Sequence, residues 1–172
     1  MIGAIILLSF VTLQRGAELV YARSNEAGLR ARGAVEIGSG HYPVMVSLHA
    51  GWLIANWAFG WDRTLVWGWV VLFALLQAGR VWVLSTLGRR WSTRVMVVPG
   101  ETLVARGPFR FVSHPNYLVV ALEIPTLPLA LGLPWLALLF CLLNLAMLAW
   151  RIRVEGRALA DLAAPRASAG RI

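Results

Sequence analysis

The chain has no lysine, only one cysteine and few acidic residues. All sixteen basic side chains are arginine, and eight Asp and Glu residues leave a formal net charge of +8. The single cysteine, Cys141, excludes an intrachain disulfide and a cysteine-based metal centre. His41 and His49 are eight residues apart, whereas a helical metal-binding pair is four apart, so we expect no metal site.

Apolar residues dominate the composition. They make up 59% of the chain, and its mean hydropathy is +0.68, whereas soluble domains contain roughly 45–50% apolar residues. Several apolar runs are long enough to cross a bilayer. The sequence therefore predicts an all-α integral membrane protein with a single domain over residues 1–172. The five predicted transmembrane helices cover about residues 2–20, 43–61, 64–87, 118–133 and 134–150.

The arginines are distributed unevenly among the segments that connect these helices. Residues 21–42 contain three, residues 88–117 contain five and the segment after residue 150 contains five, whereas residues 61–64 contain one and residues 132–134 none. Arginine-rich connections are retained on the cytoplasmic side of a membrane. The pattern predicts an external N-terminus and three cytoplasmic segments. It does not suit nucleic-acid binding, which needs a basic face on a soluble fold.

The segment 106–117 combines chemical features that the apolar blocks around it lack. It contains a Gly-Pro turn signal, two arginines and the run His114-Pro115-Asn116-Tyr117. Pro115 biases His114 away from helical geometry and suits the first turn of a following helix. We therefore expect a polar, aromatic loop at the membrane surface, with Tyr117 one turn inside the helix. Such a loop suits a site where a polar cofactor meets an apolar substrate.

Charged and polar side chains also occur inside the predicted membrane helices. Arg15 and Glu18 are three residues apart and share a helix face, where they either snorkel to the boundary or line a pocket. Arg80 and Glu123 lie at similar predicted depths, which suggests a buried ion pair. We assign Glu123 and His49 to the substrate side, although His49 equally suits a hydrogen bond to a neighbouring helix.

The connection 21–42 is long and chemically rich for so small a membrane protein. Asn25 to Arg32 predicts a short surface helix that Gly33 ends. Glu36 and His41 follow closely, so the connection either faces the substrate or is an ordinary surface loop.

The order of motifs in the second half of the chain resembles a known family. Residues 107–117, followed by Arg151-Ile152-x-x-Glu155, look like the isoprenylcysteine carboxyl methyltransferase family of integral membrane enzymes, which use S-adenosylmethionine. The similarity covers roughly residues 88–160. Three motifs of the first half, Arg23 to Glu26, Gly33 to Glu36 and Gly40 to Pro43, resemble a bacterial branch associated with type III polyketide synthases. That branch O-methylates long-chain alkylpyrones or alkylresorcinols.

The resemblance implies a cofactor site built from the 88–117 loop and the C-terminal helix, and the arginine distribution predicts that this site faces the cytoplasm from a bacterial cytoplasmic membrane. Arg151 would be the residue on the substrate side. Phe109, Ser113 and Gly156 depart from the family pattern, which has Tyr, Arg and a second acid there. The implied cofactor contacts are Glu101, Thr102, Leu103, Val104, Phe109, His114, Pro115, Asn116, Tyr117 and Glu155.

The chemistry of methyl transfer limits what the site must contain. Transfer from a sulfonium is an in-line displacement, so the enzyme mainly holds nucleophile and methyl group in line in a dry site. A carboxylate or an acidic enol needs no strong base. A less acidic phenol does, and His41 or Glu36 is then the candidate base. Arg151 would orient the acceptor oxygen, unless Arg151 and Glu155 form only an exposed pair.

Other functions remain open on the sequence alone. The acceptor is a lipid-like molecule, and a prenyl-cysteine-like carboxylate or a phospholipid amine would suit the same motifs. An NADPH-dependent membrane reductase would change the chemistry itself. A scaffold or small transporter would give no reason for the His-Pro-Asn-Tyr run, and no inverted repeat is visible. The bacterial branch also suggests a functional link to a type III polyketide synthase.

Overall fold

The computed structural model describes residues 1–102 and 104–163, with side chains as far as Gly156. Leu103, one of the predicted cofactor contacts, lies outside the described residues. Short 3-10 helices cover Ser39–His41, Gly88–Arg90 and Gly107–Arg110. The main elements in chain order are α1 (Ile2–Ala31), β1 (Val35–Ile37), α2 (Tyr42–Gly60), α3 (Trp67–Leu87), β2 (Val95–Val97), α4 (Pro115–Ala130) and α5 (Pro134–Ala163).

Three helical segments are long and apolar enough to cross a membrane: Ile2–Ala31, Trp67–Arg90 and Pro134–Gly156. They correspond to the first, third and fifth predicted transmembrane helices. The second and fourth predictions coincide with α2, which has 19 residues, and α4, which has 16.

The first helix is longer than predicted. α1 continues to Ala31 as one helix of 30 residues, so the expected break after residue 20 is wrong. The polar part of α1 packs against the loop that follows α3, because Asn25 donates hydrogen bonds to the carbonyls of Gly88 at 3.2 Å and Trp91 at 2.9 Å. Gly33, with φ of +80°, ends the helical region as expected.

Two helix boundaries of the predicted hairpin also shift. α4 begins at Pro115, as the proline signal predicts but three residues before the predicted membrane span, and α5 does not stop at residue 150. His114 is the N-cap of α4 with extended φ, as a residue before proline should be. Because α5 continues, Arg151 and Glu155 both lie on regular helix, as expected from their spacing.

The prolines of α4 explain one contact with α2. A proline removes the N–H that would bond the carbonyl four residues earlier, so Pro128 leaves the carbonyl of Ile124 without its helical donor. The indole Nε1 of Trp52 donates to that carbonyl at 2.9 Å. Trp52 is fully buried, so this hydrogen bond fixes α2 against α4 in the apolar core.

The apolar core contains residues from several helices, among them Leu8 of α1, Phe73 of α3, Leu127 of α4 and Leu136 of α5. It lies towards the end of the bundle that includes the α4–α5 turn, where Leu131 and Leu133 are also buried. The other end of the bundle is left for polar side chains and cavities.

Two short strands depart from the all-α prediction. β1 and β2 pair in antiparallel fashion, with Glu36 opposite Met96. From the sequence, Val95 to Val98 suit either a short strand or an interfacial segment, whereas no strand is expected at β1. The pairing ties the segment after α1 to the segment after α3, so both lie beside the start of α4.

Candidate active site

Two cavities meet at the polar end of the bundle. The first, called here the loop cavity, has a volume of about 550 Å³ and lies between the 90–117 segment and α5. The second, called the bundle cavity, has a volume of about 310 Å³ and lies between α1, α2, α4 and α5. The residues that line both cavities are Trp91, Ser92, Asn116, Tyr117 and Arg151.

Arg151, Tyr117 and Glu155 form a hydrogen-bonded chain at this junction. Nε of Arg151 donates to the hydroxyl oxygen of Tyr117 at 2.9 Å, and that hydroxyl donates to Oε2 of Glu155 at 2.6 Å. Arg151 is buried, and its Nη1 also lies 2.8 Å from Sδ of Met45 on α2. The expected alternative, an exposed ion pair between Arg151 and Glu155, does not describe this geometry, because the phenol oxygen stands between the two charged groups.

His114 packs against the same tyrosine. The rings of His114 and Tyr117 are stacked, with centroids 5.0 Å apart and planes 7° from parallel. The capping position of His114 and the three-residue spacing place the two rings together at the first turn of α4. Both rings line the loop cavity.

The other described residues that were assigned to the cofactor also surround the loop cavity. Glu101 accepts from Arg32 at 2.7 Å and lies 3.2 Å from Arg90, and the carbonyl of Thr102 accepts from Arg90 at 3.1 Å. Asn116 faces both cavities, and its buried Oδ1 has no hydrogen-bond partner in the described part of the chain. The remaining members that line the loop cavity are Val104, Phe109 and Pro115.

A compensated charge cluster forms part of the bundle. The guanidinium of Arg15 lies 2.9 Å from both Glu18 and Glu123, and Arg80 pairs with the same two carboxylates. The predicted Arg80–Glu123 pair is therefore present. Arg15, Glu18 and Arg80 line the bundle cavity, so of the two alternatives for Arg15 and Glu18 the pocket-lining one applies.

The two residues assigned to the substrate take different positions. His49 lines the bundle cavity, and its Nδ1 lies 2.8 Å from the carbonyl of Met45 in its own helix. Glu123 is fully buried behind the arginines. Its contact with a substrate would therefore run through Arg15 or Arg80.

The two candidate bases stand apart from the cavity junction. Glu36 is held by Arg94 and by Arg30, whose Nη2 lies 2.8 Å from its Oε2. Burial raises the pKa of Glu36, but these hydrogen bonds and charges outweigh it and hold that pKa below its usual value. Burial and the charge of Arg151 lower the pKa of His41, which is buried beside Trp150. The role of either residue as a base stays a prediction.

Sequence reasoning missed several residues of the junction. Trp91 and Ser92 face both cavities, and Met45 contacts Arg151. Arg94 lies with its guanidinium 4.0 Å from the ring centroid of Tyr42 and lines the loop cavity. In the sequence, these residues are marked only by their positions near the predicted cytoplasmic ends of the membrane helices. The strand pairing that brings them to the junction connects segments that are far apart along the chain.

Comparisons with known proteins are consistent with this geometry. The model of the isoprenylcysteine carboxyl methyltransferase (ICMT) family matches residues 69–161, which include α4 and both ends of the Arg151–Tyr117–Glu155 chain. The chain is also 37% identical over 162 residues to the "Uncharacterized protein YpbQ" of Bacillus subtilis (strain 168), which covers 91% of this chain and 96% of that protein. No solved structure matches significantly.

Proposed function

This chain belongs to the isoprenylcysteine carboxyl methyltransferase family, and on that premise we propose that it transfers a methyl group from S-adenosylmethionine to an oxygen of a lipid acceptor. Family membership and three membrane-length helices indicate a membrane methyltransferase. The acceptor, the roles of the site residues and the orientation in the membrane are what we propose beyond that.

This proposal rests mainly on one observation, which is that the two cavities share a wall. A methyl transferase for lipids must hold a polar cofactor and an apolar acceptor on either side of one reacting point. The exposed lining of both cavities is mostly apolar, but the loop cavity is the more polar of the two and is bordered by Arg90, Glu101 and Glu155. Tyr117 and Arg151 stand between them, so groups bound in the two cavities would meet there.

The loop cavity has the donor set that S-adenosylmethionine needs. When bound, this cofactor supplies an electrophilic methyl group on a sulfonium. The carboxylates of Glu155 and Glu101 suit its ammonium group and ribose hydroxyls, and the arginines of the cavity suit its carboxylate. The stacked rings of His114 and Tyr117, with Phe109, offer flat surfaces for an adenine ring.

Arg151 is the residue that acts on the acceptor in this proposal. It stays charged at low dielectric and presents a planar fork to an oxygen anion. Its hydrogen bond to Tyr117 fixes the guanidinium at the junction. Burial of this group keeps water from the reacting point, which strengthens its interaction with developing or existing negative charge.

The acceptor that we propose is the enol or phenol hydroxyl of a long-chain alkylpyrone or alkylresorcinol. An acidic enol is already an oxygen anion near neutral pH. This suits a junction where Arg151 is the charged residue, among those described, that lines both cavities, and where Glu36 is occupied by two arginines. A prenyl-cysteine-like carboxylate fits the same cavities equally well. A type III polyketide synthase is the proposed source of the pyrone or resorcinol.

We further propose that the whole chain is one domain with five spans in a bacterial cytoplasmic membrane, and that the site faces the cytoplasm. In a Cys141→Ala background, Ser39→Cys and Thr64→Cys place thiols at exposed positions beside opposite ends of α2. A membrane-impermeant maleimide added to intact cells should label position 64 and spare position 39. Labelling of position 39 from outside would contradict the orientation.

Binding and transfer are tested together in detergent or nanodiscs. Calorimetry should show binding of S-adenosylmethionine and none of NADPH, and Glu155→Gln should weaken it about tenfold, as expected for a lost charge-assisted hydrogen bond. Asp62→Asn, in the turn after α2, is the matched control. Transfer of labelled methyl is then compared for an alkylpyrone, an alkylresorcinol and a prenyl-cysteine. Binding of NADPH without S-adenosylmethionine would overturn the proposed function.

A further inference from the structure

Asn144 is a buried amide without a partner. It lies in the middle of α5 with 1% of its surface exposed. Neither its Nδ2 nor its Oδ1 has a hydrogen-bond partner in the described part of the chain. Buried polar side chains nearly always have partners, because a donor or acceptor that loses water without replacement destabilises the protein. An amide that leaves both of its groups unpaired therefore points to a partner from outside the chain.

The amide faces the bundle cavity. Asn144 lines that cavity together with Asn116 and Arg15, and Oδ1 of Asn116 and Nε of Arg15 are also buried and unpaired within the described residues. Much of the remaining lining is aliphatic or aromatic. Trp91 lines the same cavity, and its buried Nε1 is likewise unpaired within the described residues. Four side chains with unpaired polar atoms thus border the cavity that we assign to the acceptor.

Asn144 also has a fixed relation to the residue that acts on the acceptor. Asn144, Met147, Leu148 and Arg151 all line the bundle cavity, and their spacing of three, four and seven residues places them on one face of α5. Asn144 and Arg151 are two helical turns apart, or about 10 Å along the helix axis. The space between two side chains that reach into one cavity from this separation suits a ring-sized polar head.

We infer that Asn144 determines acceptor specificity by binding a second oxygen of the acceptor head, in addition to the oxygen that receives the methyl group at Arg151. The inference rests on the proposed function. The acceptor class is a lipid whose polar head has two separate hydrogen-bonding oxygens. The amide can donate from its nitrogen and accept at its oxygen, so it accommodates either a hydroxyl or a carbonyl group.

A site built around such an amide discriminates strongly. A hydrogen-bonding site rejects an analogue that lacks the matching group, because the buried polar atoms of the protein are then left unpaired. The wild-type protein should therefore prefer a 5-alkylresorcinol over the 3-alkylphenol of the same chain length. We expect a ratio of kcat/KM of about 10 to 100, typical of one or two hydrogen bonds to a buried group.

The experiment compares this ratio between variants. Asn144→Leu keeps the approximate volume and removes the amide, so the ratio should fall towards one, with the loss confined to the resorcinol. Asn144→Ser retains a hydroxyl and should keep part of the preference. Leu143→Met, a nearly volume-conserving change at an exposed neighbour that lines neither cavity, is the matched control and should keep the wild-type ratio. Each ratio comes from one preparation, so the fraction of folded protein cancels.

Two results would overturn the inference without touching the proposed function. One is a wild-type protein that binds S-adenosylmethionine but does not prefer the resorcinol. The other is an Asn144→Leu variant that loses rate equally with both acceptors. This is expected if the amide only binds ordered water or only packs against its neighbours. Failure of the wild-type protein to bind S-adenosylmethionine would instead overturn the proposed function, and the inference with it.

Discussion

The hydroxyl group of Tyr117 donates a 2.6 Å hydrogen bond to Oε2 of Glu155. The same oxygen accepts from Arg151, so one phenol connects the residue assigned to the cofactor with the residue assigned to the acceptor. The two charged residues are four apart on α5, yet they do not pair directly. Tyr117 therefore fixes the separation between them, and small changes at this oxygen should alter the alignment of the two bound groups.

Tyr117→Phe removes this oxygen and keeps the ring that stacks on His114. Because the adenine-binding surface is retained, we expect affinity for S-adenosylmethionine to change by less than about threefold. Loss of a hydrogen bond to charged groups is worth about 1.5–3 kcal/mol, so kcat should fall about 10- to 100-fold. Steady-state kinetics of methyl transfer and calorimetry measure the two effects separately. Unchanged turnover would show that the phenol oxygen does not align the site.

Arg151→Lys keeps the positive charge but loses the planar fork that contacts Tyr117. A lysine ammonium presents a point charge and does not reproduce two directed N–H groups. We expect kcat and kcat/KM for the acceptor to fall together by about tenfold or more, because the lost interaction strengthens in the transition state. Cofactor affinity should stay near the wild-type value. A variant that loses cofactor binding instead would move Arg151 to the cofactor side.

Local sequence signals predicted the parts of the site that lie on single helices, and a comparison of depths predicted one ion pair between two helices. The Pro115 signal gave the start of α4, and the four-residue spacing gave the shared face of Arg151 and Glu155. The depth argument gave the Arg80–Glu123 pair. Each of these follows from helical geometry and from the cost of an unpaired charge in a membrane, both of which act over one or two turns or at a fixed depth.

The missed parts all depend on contacts between distant segments. The pairing of β1 with β2 brings residues 35–37 beside residues 95–97, and no local pattern specifies that register. Hydrogen bonds from Asn25 to the loop after α3 hold the continuation of α1 beyond residue 20, where the sequence predicts a separate short helix from Asn25 to Arg32. The position of Tyr117 between Arg151 and Glu155 likewise requires α4 and α5 to pack with one particular offset along their axes.

Acid should weaken the link between the 30–42 segment and the loop after α3. The pKa of Glu36 lies below its ordinary value of 4.5 in the folded protein, so the stability that its pairs with Arg94 and Arg30 contribute is fully present above pH 4.5. It is lost as pH falls through the lowered pKa. Glu36→Gln should remove this part of the acid destabilisation, measured as the difference in Tm between wild type and variant across that pH range.

The titration of His41 helps to check whether the difference in Tm between wild type and Glu36→Gln comes from Glu36. Its pKa is lowered from 6.5 by burial and by Arg151, so acid protonates the unfolded state first and destabilises the fold in a window that begins near pH 6.5. The onset of this window, near pH 6.5, lies above the onset for Glu36 near pH 4.5. A difference between wild type and Glu36→Gln that appears only above pH 4.5 would therefore implicate His41 and contradict the assignment to Glu36.

Glu123 holds together the charge cluster beside the bundle cavity. It is fully buried and is paired with Arg15 and Arg80, and it also accepts a hydrogen bond from Gln77. Glu123→Gln leaves the buried Arg80 and the half-buried Arg15 with a single carboxylate, Glu18. Removal of one partner from a buried ion pair typically costs about 3–5 kcal/mol, because the remaining charge is uncompensated. We expect a correspondingly large fall in Tm in detergent, with loss of activity following loss of fold.

The double variant Glu123→Gln/Arg80→Gln separates charge balance from packing. It restores neutrality around Glu18 and Arg15, so it should be more stable than Glu123→Gln alone. The coupling between the two changes should be at least about 1 kcal/mol, well above the scatter expected for independent sites. An additive result would mean that the two side chains do not stabilise each other. If the double variant recovers stability but still binds acceptor poorly, Arg80 contributes to the cavity wall itself, and Glu123 acts on the acceptor only by positioning the arginines.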